Sequence, residues 1–373
     1  MPFWSLWTRH ELPSITWRVQ EERAQALLAL GLDDTLMMVP AAYPEEDGMP
    51  GRYVAPGIPT RLTRQVWPSQ RYPLLIKEYE TPKGVLRQVV WQTEDWKEGD
   101  DVNIFSDLNM PRSQEYLASG PADLEKLAYL FPPPSAAQIE SFRERARALK
   151  AVARRQGVLL ECGWVAVTDA LFWLCGVQPL LTAAMDDPSY VRALLRLLYD
   201  WQKPQIELAL EEGAEVIVHR GWYETTRFWS PRLFRELIKP LLREEIDLVH
   251  SAGAKFRYIM STGITPLLDE FVDLGIDAFT GVDPVQDDLD FEVVKSKLKG
   301  KMAIWGGING TVTLGLGSPD EIREAVDRAI YTFAPGGGFA LSPVDQIFDH
   351  TPWENVEIML ERWREIGRYP TRA

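Results

Sequence analysis

The chain has 373 residues, of which 46% are hydrophobic and 25% are charged. This balance is typical of a folded globular protein and excludes a disordered, collagen-like or coiled-coil chain. The formal net charge of −14 argues against nucleic acid or an anionic membrane as the main partner.

Cysteine content and segment hydropathy narrow the class further. The two cysteines, Cys162 and Cys175, form no C-x-x-C pair, so neither a disulfide scaffold nor a four-cysteine zinc site is available. The N-terminus has no secretory-signal pattern, and no apolar run approaches the roughly 18 residues of a membrane-spanning helix. We therefore expect a cytoplasmic, reduced protein that binds neither nucleic acid nor membrane.

The first 115 residues divide into two zones. Residues 1–30 contain an aromatic arm and then the helical pattern QEERAQALLALG, for which Gly31 is a suitable C-cap. Residues 35–115 are rich in proline, tryptophan and β-branched side chains. Within them, LLIKEYETPKGVLRQVVWQ predicts two strands around a Thr-Pro-Lys-Gly turn, which places a β-hairpin excursion at residues 70–105.

From Pro121 onward, short apolar runs alternate with helical patterns. The helix predicted at 230–253 has Ser230 as N-cap and Pro231 at its first position, and Thr265 is predicted to cap the helix at 265–275. The runs that predict strands are GVLLECG (157–163), AEVIVHR (214–220), KFRYIMST (255–262), DAFTGVD (277–283), MAIWGGIN (302–309) and GGFALSP (337–343).

Five or six consecutive strand–helix units require a parallel sheet with right-handed crossovers. Both an open doubly wound sheet and a closed barrel satisfy this requirement. The barrel is favoured because no connection lengthens into a crossover to a second domain, and no glycine-rich phosphate fingerprint follows an early strand. We therefore predict an α/β fold, a (β/α)8 TIM barrel with an N-terminal arm and a β-hairpin insertion, in one domain over residues 1–373.

In such a barrel the functional residues lie at the carboxyl ends of the strands. By residue type, His219 and Arg220 are the strongest candidates there. The imidazole would act as a general acid/base or orient a substrate beside a guanidinium that binds a carboxylate; a structural pairing with the next loop is the alternative.

Asp283, Asp287 and Asp288 also follow a strand. Asp283 suits either a cavity-facing or a turn-forming carboxylate, whereas Asp287 and Asp288 suit capping of the next helix.

The same positional argument selects further candidates. Glu161 is a third candidate catalytic residue. Outside the barrel, residues 51–90 hold seven basic and two acidic groups, a local charge of +5. This stretch, which contains Arg52, would attract an anionic substrate, or it would form a solvated hairpin face. The remaining candidate substrate-binding residues are Tyr223, Trp164, Trp222, Ser261, Asn309 and Asp345.

Several segments of the second half, in their order along the chain, resemble the uroporphyrinogen decarboxylase superfamily. They are DLVHSAGAKFRYIMSTGITPLLDEF, GVDPVQDDLDF, MAIWGGINGTVTLGLGSPDEI and GGGFALSP, and the resemblance covers roughly residues 120–370. It implies a (β/α)8 barrel. It also implies either a haem-pathway decarboxylase or a methyltransferase that moves methyl groups to or from corrinoid proteins, coenzyme M or homocysteine-like thiols. The hairpin segment ETPKGVLRQVVWQ is similar to that of the methyltransferase-like branch.

The metal-binding motif of this superfamily is altered here. Zinc-dependent members carry His-x-Cys-Gly after the strand that here ends in Met-Ser-Thr-Gly, so Met260 and Thr262 occupy the ligand positions. Their third ligand, a cysteine, falls near Val344 or Asp345. Because catalytic zinc needs three suitable protein ligands, the resemblance predicts no metal site in this chain.

The decarboxylase motif is also reduced. Decarboxylases of the superfamily share Arg-x-Ala-Gly-Arg-Tyr, whose arginines hold the substrate carboxylates, and only Gly51-Arg52-Tyr53 is present here. Their Asp-containing segment is echoed by Asp107 in FSDLNMPR. The scaffold of the superfamily is therefore present without either of its well-known site motifs.

These observations favour a metal-independent methyltransferase that acts with a corrinoid protein on a small methylated substrate, for example a methoxylated or N-methylated one. His219, Arg220 and Tyr223 would position the substrate, and Asp283 or Glu161 would protonate or orient the leaving heteroatom. The alternatives are a uroporphyrinogen decarboxylase, and a non-catalytic protein that binds a tetrapyrrole or corrinoid. No tightly bound cofactor is expected, and the sequence leaves a homodimer open.

Overall fold

A computed structural model describes residues 19–46, 49–287, 289–344, 347 and 350–368, without the side chains of residues 46, 49–50 and 164–165. Four sequence predictions therefore fall outside the described parts: the aromatic arm before residue 19, the Trp164 side chain, Asp288 and Asp345.

The described strands follow one another along the chain as short segments. They are β1 (Thr35–Met38), β2 (Glu45–Glu46), β3 (Met49–Pro50), β4 (Thr60–Gln65), β5 (Leu74–Thr81), β6 (Gly84–Trp91), β7 (Ser113–Glu115), β8 (Leu159–Val165), β9 (Val216–Arg220), β10 (Lys255–Ile259), β11 (Ala278–Val282), β12 (Ala303–Asn309) and β13 (Phe339–Val344).

Helices separate most of the later strands. They are α1 (Gln20–Ala29), α2 (Leu124–Leu127), α3 (Ala136–Gln156), α4 (Val167–Cys175), α5 (Val177–Asp186), α6 (Pro188–Glu211), α7 (Pro231–Leu233), α8 (Lys239–Ser251), α9 (Leu268–Leu274), α10 (Phe291–Leu298), α11 (Pro319–Phe333) and α12 (Trp353–Ile366). A π-helical segment, Phe234–Ile238, joins α7 to α8.

The central feature is a curled parallel sheet with the strand order β1-β8-β9-β10-β11-β12-β13 in the described part of the chain. A second sheet, β4-β5-β6-β7, is antiparallel and is inserted between β1 and β8. The predicted fold class is confirmed as a TIM-barrel-like α/β fold with an antiparallel insertion. The parallel sheet has seven strands among the described residues, and the first of them, β1, was not predicted from the sequence.

Alternation along each strand sorts the side chains onto two faces of the parallel sheet. In β9, Ile217 packs into the large core formed with the helices. Its neighbours Val216 and Val218 instead join a separate cluster with Ile259. Residues two apart share a face, so His219 lies on the helix side of the sheet and Arg220 on the inner side.

Helix capping confirms one prediction and corrects another. The Ser230 hydroxyl accepts from the backbone N–H of Leu233, as predicted for an N-cap. Thr265 does not cap its helix, because the turn begins at Ile264 with no side-chain cap. The Asp287 carboxylate instead accepts from the backbone N–H groups of residues 263 and 264, at 2.7 and 3.2 Å.

The antiparallel insertion contains the predicted hairpin, with β5 paired to β6 from Leu74 opposite Trp91 to Thr81 opposite Gly84. Most of its basic groups pair with acidic groups of the insertion itself. Residues 51–90 carry +5, whereas residues 91–115 carry seven acidic and two basic groups, −5, so the sum is zero. The pairs include Arg61 with Glu78 at 2.5 Å and Lys77 with Asp101 at 2.8 Å. The structure thus favours the solvated hairpin face over an anion-attracting flap.

One glycine of the parallel sheet is required by a close backbone approach. Gly281 in β11 has a φ of +121°, and a Cβ there would lie 2.0 Å from the carbonyl oxygen of Met260. Any larger residue would therefore collide with the backbone that follows β10.

In the described part of the chain, no helix on its own has both the length and the apolar composition needed to cross a membrane. The pair Val167–Cys175 and Val177–Asp186, bent by 108°, meets these two criteria only when both helices are counted together.

Candidate functional site

The candidate site lies at the carboxyl end of β9, where four parts of the chain meet around Arg220. Its Nη1 lies 3.0 Å from an Asp169 carboxylate oxygen, and its Nη2 lies 3.4 Å from one of Asp107. The guanidinium is 5.0 Å above the Trp173 ring and 5.9 Å from the centre of the Tyr223 ring. The insertion contributes Asp107, helix α4 contributes Asp169 and Trp173, and the loop after β9 contributes Tyr223.

Asp107 is the exposed member of this group, with 54% of its side chain accessible to solvent. Its Oδ1 accepts hydrogen bonds from the Tyr223 hydroxyl at 2.6 Å and from the Trp173 indole N–H at 2.7 Å. Together with Arg220, three donors from the barrel thus converge on one carboxylate from the insertion.

Asp169 is the buried member, and it fixes two of these donors at once. One of its oxygens accepts from the backbone N–H of Tyr223 at 2.8 Å, and the other faces Arg220. Burial raises the pKa of the Asp169 carboxyl to about 7, against the opposing effect of the Arg220 charge. A carboxyl with this pKa exchanges its proton near neutral pH, a property that is frequent at functional sites.

An aromatic wall continues from the site toward the insertion. Phe105, two residues before Asp107, has its ring 5.6 Å from that of Trp173. The same ring lies 6.5 Å from Tyr43 and 5.5 Å from Tyr53. The polar group around Arg220 therefore borders a packed aromatic cluster, in which Tyr53 is buried and Phe105 and Tyr43 are only partly buried. The partly exposed rings can contact the apolar part of a small molecule.

His219 does not join this site, although it is the neighbour of Arg220 in sequence. It is 2% exposed, and its two ring nitrogens lie 2.8 Å from Glu245 and 3.0 Å from Glu224. The Tyr258 hydroxyl donates to the second oxygen of Glu224. Burial by itself lowers the pKa of His219, but the two carboxylates outweigh it and raise this pKa well above its usual value. Since both nitrogens are engaged inside the protein, the geometry supports the structural alternative.

Asp283 likewise has partners from the protein at both oxygens. One oxygen accepts from the backbone N–H groups of Val285 and Gln286 at 2.8 and 3.0 Å, and the other from the Asn309 amide at 2.8 Å. Asn309 in turn accepts from the backbone N–H of Val312 at 2.6 Å. These candidates meet each other, but their bonds hold two turns at the carboxyl ends of β11 and β12. Of the two roles left open for Asp283, the geometry supports turn formation.

Glu161 lies inside the sheet, far from the carboxyl ends of the strands. It pairs with Arg257 at 2.9 Å, and both side chains are almost fully buried. Burial raises the pKa of Glu161 and lowers that of Arg257 to about 10, while each charge opposes the other shift. Arg257 also lies 4.6 Å over the Trp305 ring. This pair fills the inner side of the parallel sheet, away from the carboxyl ends of the strands, where side chains usually stabilise the fold.

The other candidates occupy separate positions. Arg52 donates to Glu98 and, at 2.8 Å, to Asp101, so its charge is neutralised within the insertion. Trp222 packs on the inner cluster of β9 and β10. Ser261 is buried just beyond β10. Of the residues selected from sequence, Arg220 and Tyr223 are the two that the described structure places in the Asp107–Asp169 group.

The donor set does not fit the zinc site of related enzymes. Met260 is fully buried in the main core, and the Thr262 hydroxyl lies 3.3 Å from that of Thr225. Among the described residues, no three His, Cys, Asp or Glu side chains converge in a way that could hold a metal ion.

Sequence reasoning missed Asp169, Trp173 and Glu224 as members of these clusters. Asp107 was singled out only through its FSDLNMPR segment and was not assigned to the site. The period of two in a strand gave one usable signal, because it forbids His219 and Arg220 from facing the same side. No local pattern marks Asp169, which lies in the first turn of α4.

Comparison with known proteins identifies the family. The model of the uroporphyrinogen decarboxylase (URO-D) family matches residues 98–366. This segment contains Asp107, Asp169, Arg220 and the whole parallel sheet from β8 to β13. The chain therefore belongs to the uroporphyrinogen decarboxylase family.

The fold has a relative among solved structures with a TM-score above 0.5, at low sequence identity. A methyltransferase from Methanosarcina mazei has a TM-score of 0.51 and 17% identity, over 68% of this chain and 68% of its own. A B12-independent methionine synthase from a Shewanella species has a TM-score of 0.43 and 10% identity, over 60% of this chain and 67% of its own. At these identities the likeness concerns the fold alone. Proteins of curated function gave no match.

Proposed function

We propose that this chain is a metal-independent methyltransferase that moves a methyl group between a small methylated substrate and a corrinoid protein. The observation that carries the proposal is the convergence of the Arg220, Tyr223 and Trp173 donors on one position at the carboxyl end of β9. In this proposal the donors bind the polar end of the substrate, and the adjacent rings receive its apolar body.

The chemistry asks for hydrogen-bond donors more than for a base. The reduced corrinoid of the partner protein supplies the electron pair of the new bond to the methyl carbon and takes the methyl group. The bond between the methyl carbon and the heteroatom breaks, its electron pair stays on the heteroatom, and a proton from solvent completes the demethylated product. Negative charge grows on the heteroatom during this step. Arg220 and the Tyr223 hydroxyl bind the polar end of the substrate and so hold this heteroatom in position for the transfer, since a correctly oriented reactant has less entropy left to lose. Asp169 holds both residues in place, through the backbone N–H of Tyr223 and the guanidinium of Arg220.

The charge balance favours this proposal over decarboxylation of a porphyrinogen. A substrate with many carboxylates requires several cations that face the cavity. Arg52 is paired with Glu98, and Arg227 is paired with Asp287 at 3.2 Å. The group around Arg220 has two carboxylates of its own. This surface suits a substrate with one polar end.

The test incubates the chain with a reduced corrinoid protein and a panel of methoxylated and N-methylated compounds. Methylation of the corrinoid is followed by its absorbance. We expect one class of donor to react, and we expect Arg220→Gln to slow that reaction about a hundredfold. The matched control is Arg227→Gln, which removes an exposed arginine outside this group and should leave the rate unchanged.

Two results would contradict the proposal. One is the absence of corrinoid methylation with every donor in the panel. The other is conversion of uroporphyrinogen to coproporphyrinogen by the same preparation, which would instead favour the decarboxylase.

A further inference from the structure

The site around Arg220 already holds a carboxylate, and that carboxylate belongs to the protein. We propose that Asp107 occupies the binding position of a substrate carboxylate, so that the ligand of this site is a small carboxylic acid with a flat apolar body, and Asp107 is its internal competitor. This inference rests on the proposed function for the fate of the bound molecule, whereas the binding itself is testable without a methyl acceptor.

The three donors of the site are arranged as a carboxylate requires. Two hydrogen bonds reach one oxygen of Asp107, from Tyr223 at 2.6 Å and Trp173 at 2.7 Å, and Arg220 faces the other oxygen at 3.4 Å. A planar group with two acceptor oxygens is what such an arrangement recognises, because guanidinium and carboxylate match in shape and charge.

Contacts other than those with Asp107 hold Arg220 and Tyr223 in place. Asp169 holds Arg220 and the backbone N–H of Tyr223. The Trp229 indole donates to the Tyr223 carbonyl at 2.8 Å, and the Phe172 ring lies 5.2 Å from the Tyr223 ring. Removal of the Asp107 carboxylate would therefore leave a preorganised set of donors, which lowers the cost of binding a replacement.

Asp107 can move away from these donors into solvent. It belongs to the insertion, not to the barrel, and more than half of its side chain is exposed. A displaced carboxylate would thus be hydrated at once, with no buried charge left behind. By contrast, Asp169 is fully buried and cannot be exchanged in this way.

Aromatic residues next to the donors indicate what the rest of the ligand is. The donors are bordered by Phe105 and Tyr43, whose rings are 6.5 Å apart, and Phe105 is 5.6 Å from Trp173. Both rings are only partly buried, so a ring attached to the ligand carboxylate would contact their exposed parts. An aromatic acid with a methyl group on a ring substituent satisfies both parts of the site.

The experiment measures binding of 4-methoxybenzoate to the full chain by titration calorimetry, with the uncharged 4-methoxybenzamide and the cationic 4-methoxybenzylammonium as comparison ligands. We expect the carboxylate to bind more tightly than both. We expect Asp107→Ala to tighten the binding of 4-methoxybenzoate about tenfold, because Asp107 no longer occupies the donors in most of the molecules. The Asp107→Asn variant should tighten it less, since its amide oxygen still accepts hydrogen bonds.

The matched control is Asp100→Asn, which removes an exposed carboxylate of the same insertion that contacts Gln92. It should bind 4-methoxybenzoate as the wild type does. Arg220→Gln should abolish the preference for the carboxylate over the amide, provided that its circular dichroism spectrum matches the wild type.

The outcomes separate the two proposals. Unchanged or weaker carboxylate binding in Asp107→Ala overturns the competitor role. Tighter binding of the cation than of the carboxylate overturns the ligand class, because Asp107 would then be a direct contact. If 4-methoxybenzoate binds as expected but never loses its methyl group, the result supports this inference and counts against methyl transfer.

Discussion

Substitution of His219 by phenylalanine tests how the loop next to the candidate site is held. The variant keeps an aromatic ring beside Phe256 and Tyr258. It removes the positive charge and both hydrogen bonds from Glu224 and Glu245, which are almost fully buried. Loss of one partner from a buried ion pair costs about 3–5 kcal/mol. We expect a decrease of that size in the free energy of unfolding.

The pH dependence gives a second signature of His219. Its folded pKa is raised above the usual value of 6.5. The stabilisation is therefore fully present below about pH 6.5 and is lost as the pH rises through the folded pKa, with a slope of at most about 1.4 kcal/mol per pH unit for one proton. The phenylalanine variant should lack this loss.

The measurement is urea unfolding followed by circular dichroism between pH 6 and pH 9. The control is His250→Phe, because His250 also pairs with a carboxylate, that of Asp277 at 2.7 Å, but is 38% exposed in its side chain. Exposed pairs contribute about 0–1 kcal/mol. If the two variants lose the same stability, the buried charge network does not stabilise the fold as we have argued.

Two further predictions follow from single residues. Gly281→Ala should destabilise the fold by more than about 2 kcal/mol, because of its positive φ and the backbone contact at 2.0 Å. Gly120→Ala, where a Cβ meets nothing within 4 Å, should change the urea midpoint little, and equal effects would refute the steric argument. Asp169 has a folded pKa of about 7 against an ordinary 3.8, so the folded state binds its proton more tightly and stability is lost as the pH rises from about 4 through 7. Asp169→Asn should reduce that slope by about one proton's worth in a series of urea midpoints, and an unchanged slope would show that Asp169 does not titrate in this range.

The regular part of the fold was predictable because its patterns are long and repeated. The helix from Pro231 to Ser251 and the strand after it carry their caps and their apolar period in the local sequence. The strand Thr35–Met38 was missed because it has only four residues, all buried, and such a short apolar run has no alternation that distinguishes a strand from a buried helix or loop. The cap of Thr265 failed for a different reason, since the competing carboxylate comes from a distant loop.

The candidate site was predictable only in part. Arg220 and Tyr223 follow from their place at a strand end, which is a property of the barrel. His219 was selected by residue type, but strand alternation puts it on the helix side, where only tertiary contacts reveal its two carboxylates. Asp107 lies 113 positions from its partner Arg220, so no local pattern joins them.

The division of the site between sheet and insertion bears on how such a protein changes over evolutionary time. Arg220 and Asp169 are tied into the packed interior, where few replacements are tolerated. Asp107 is exposed and lies in the connection between β6 and β7, and connections of this kind accept substitutions and length changes readily. Drift in that segment alone would swap one preferred small molecule for another while every strand stays as it is, which makes the insertion the natural target for redesign.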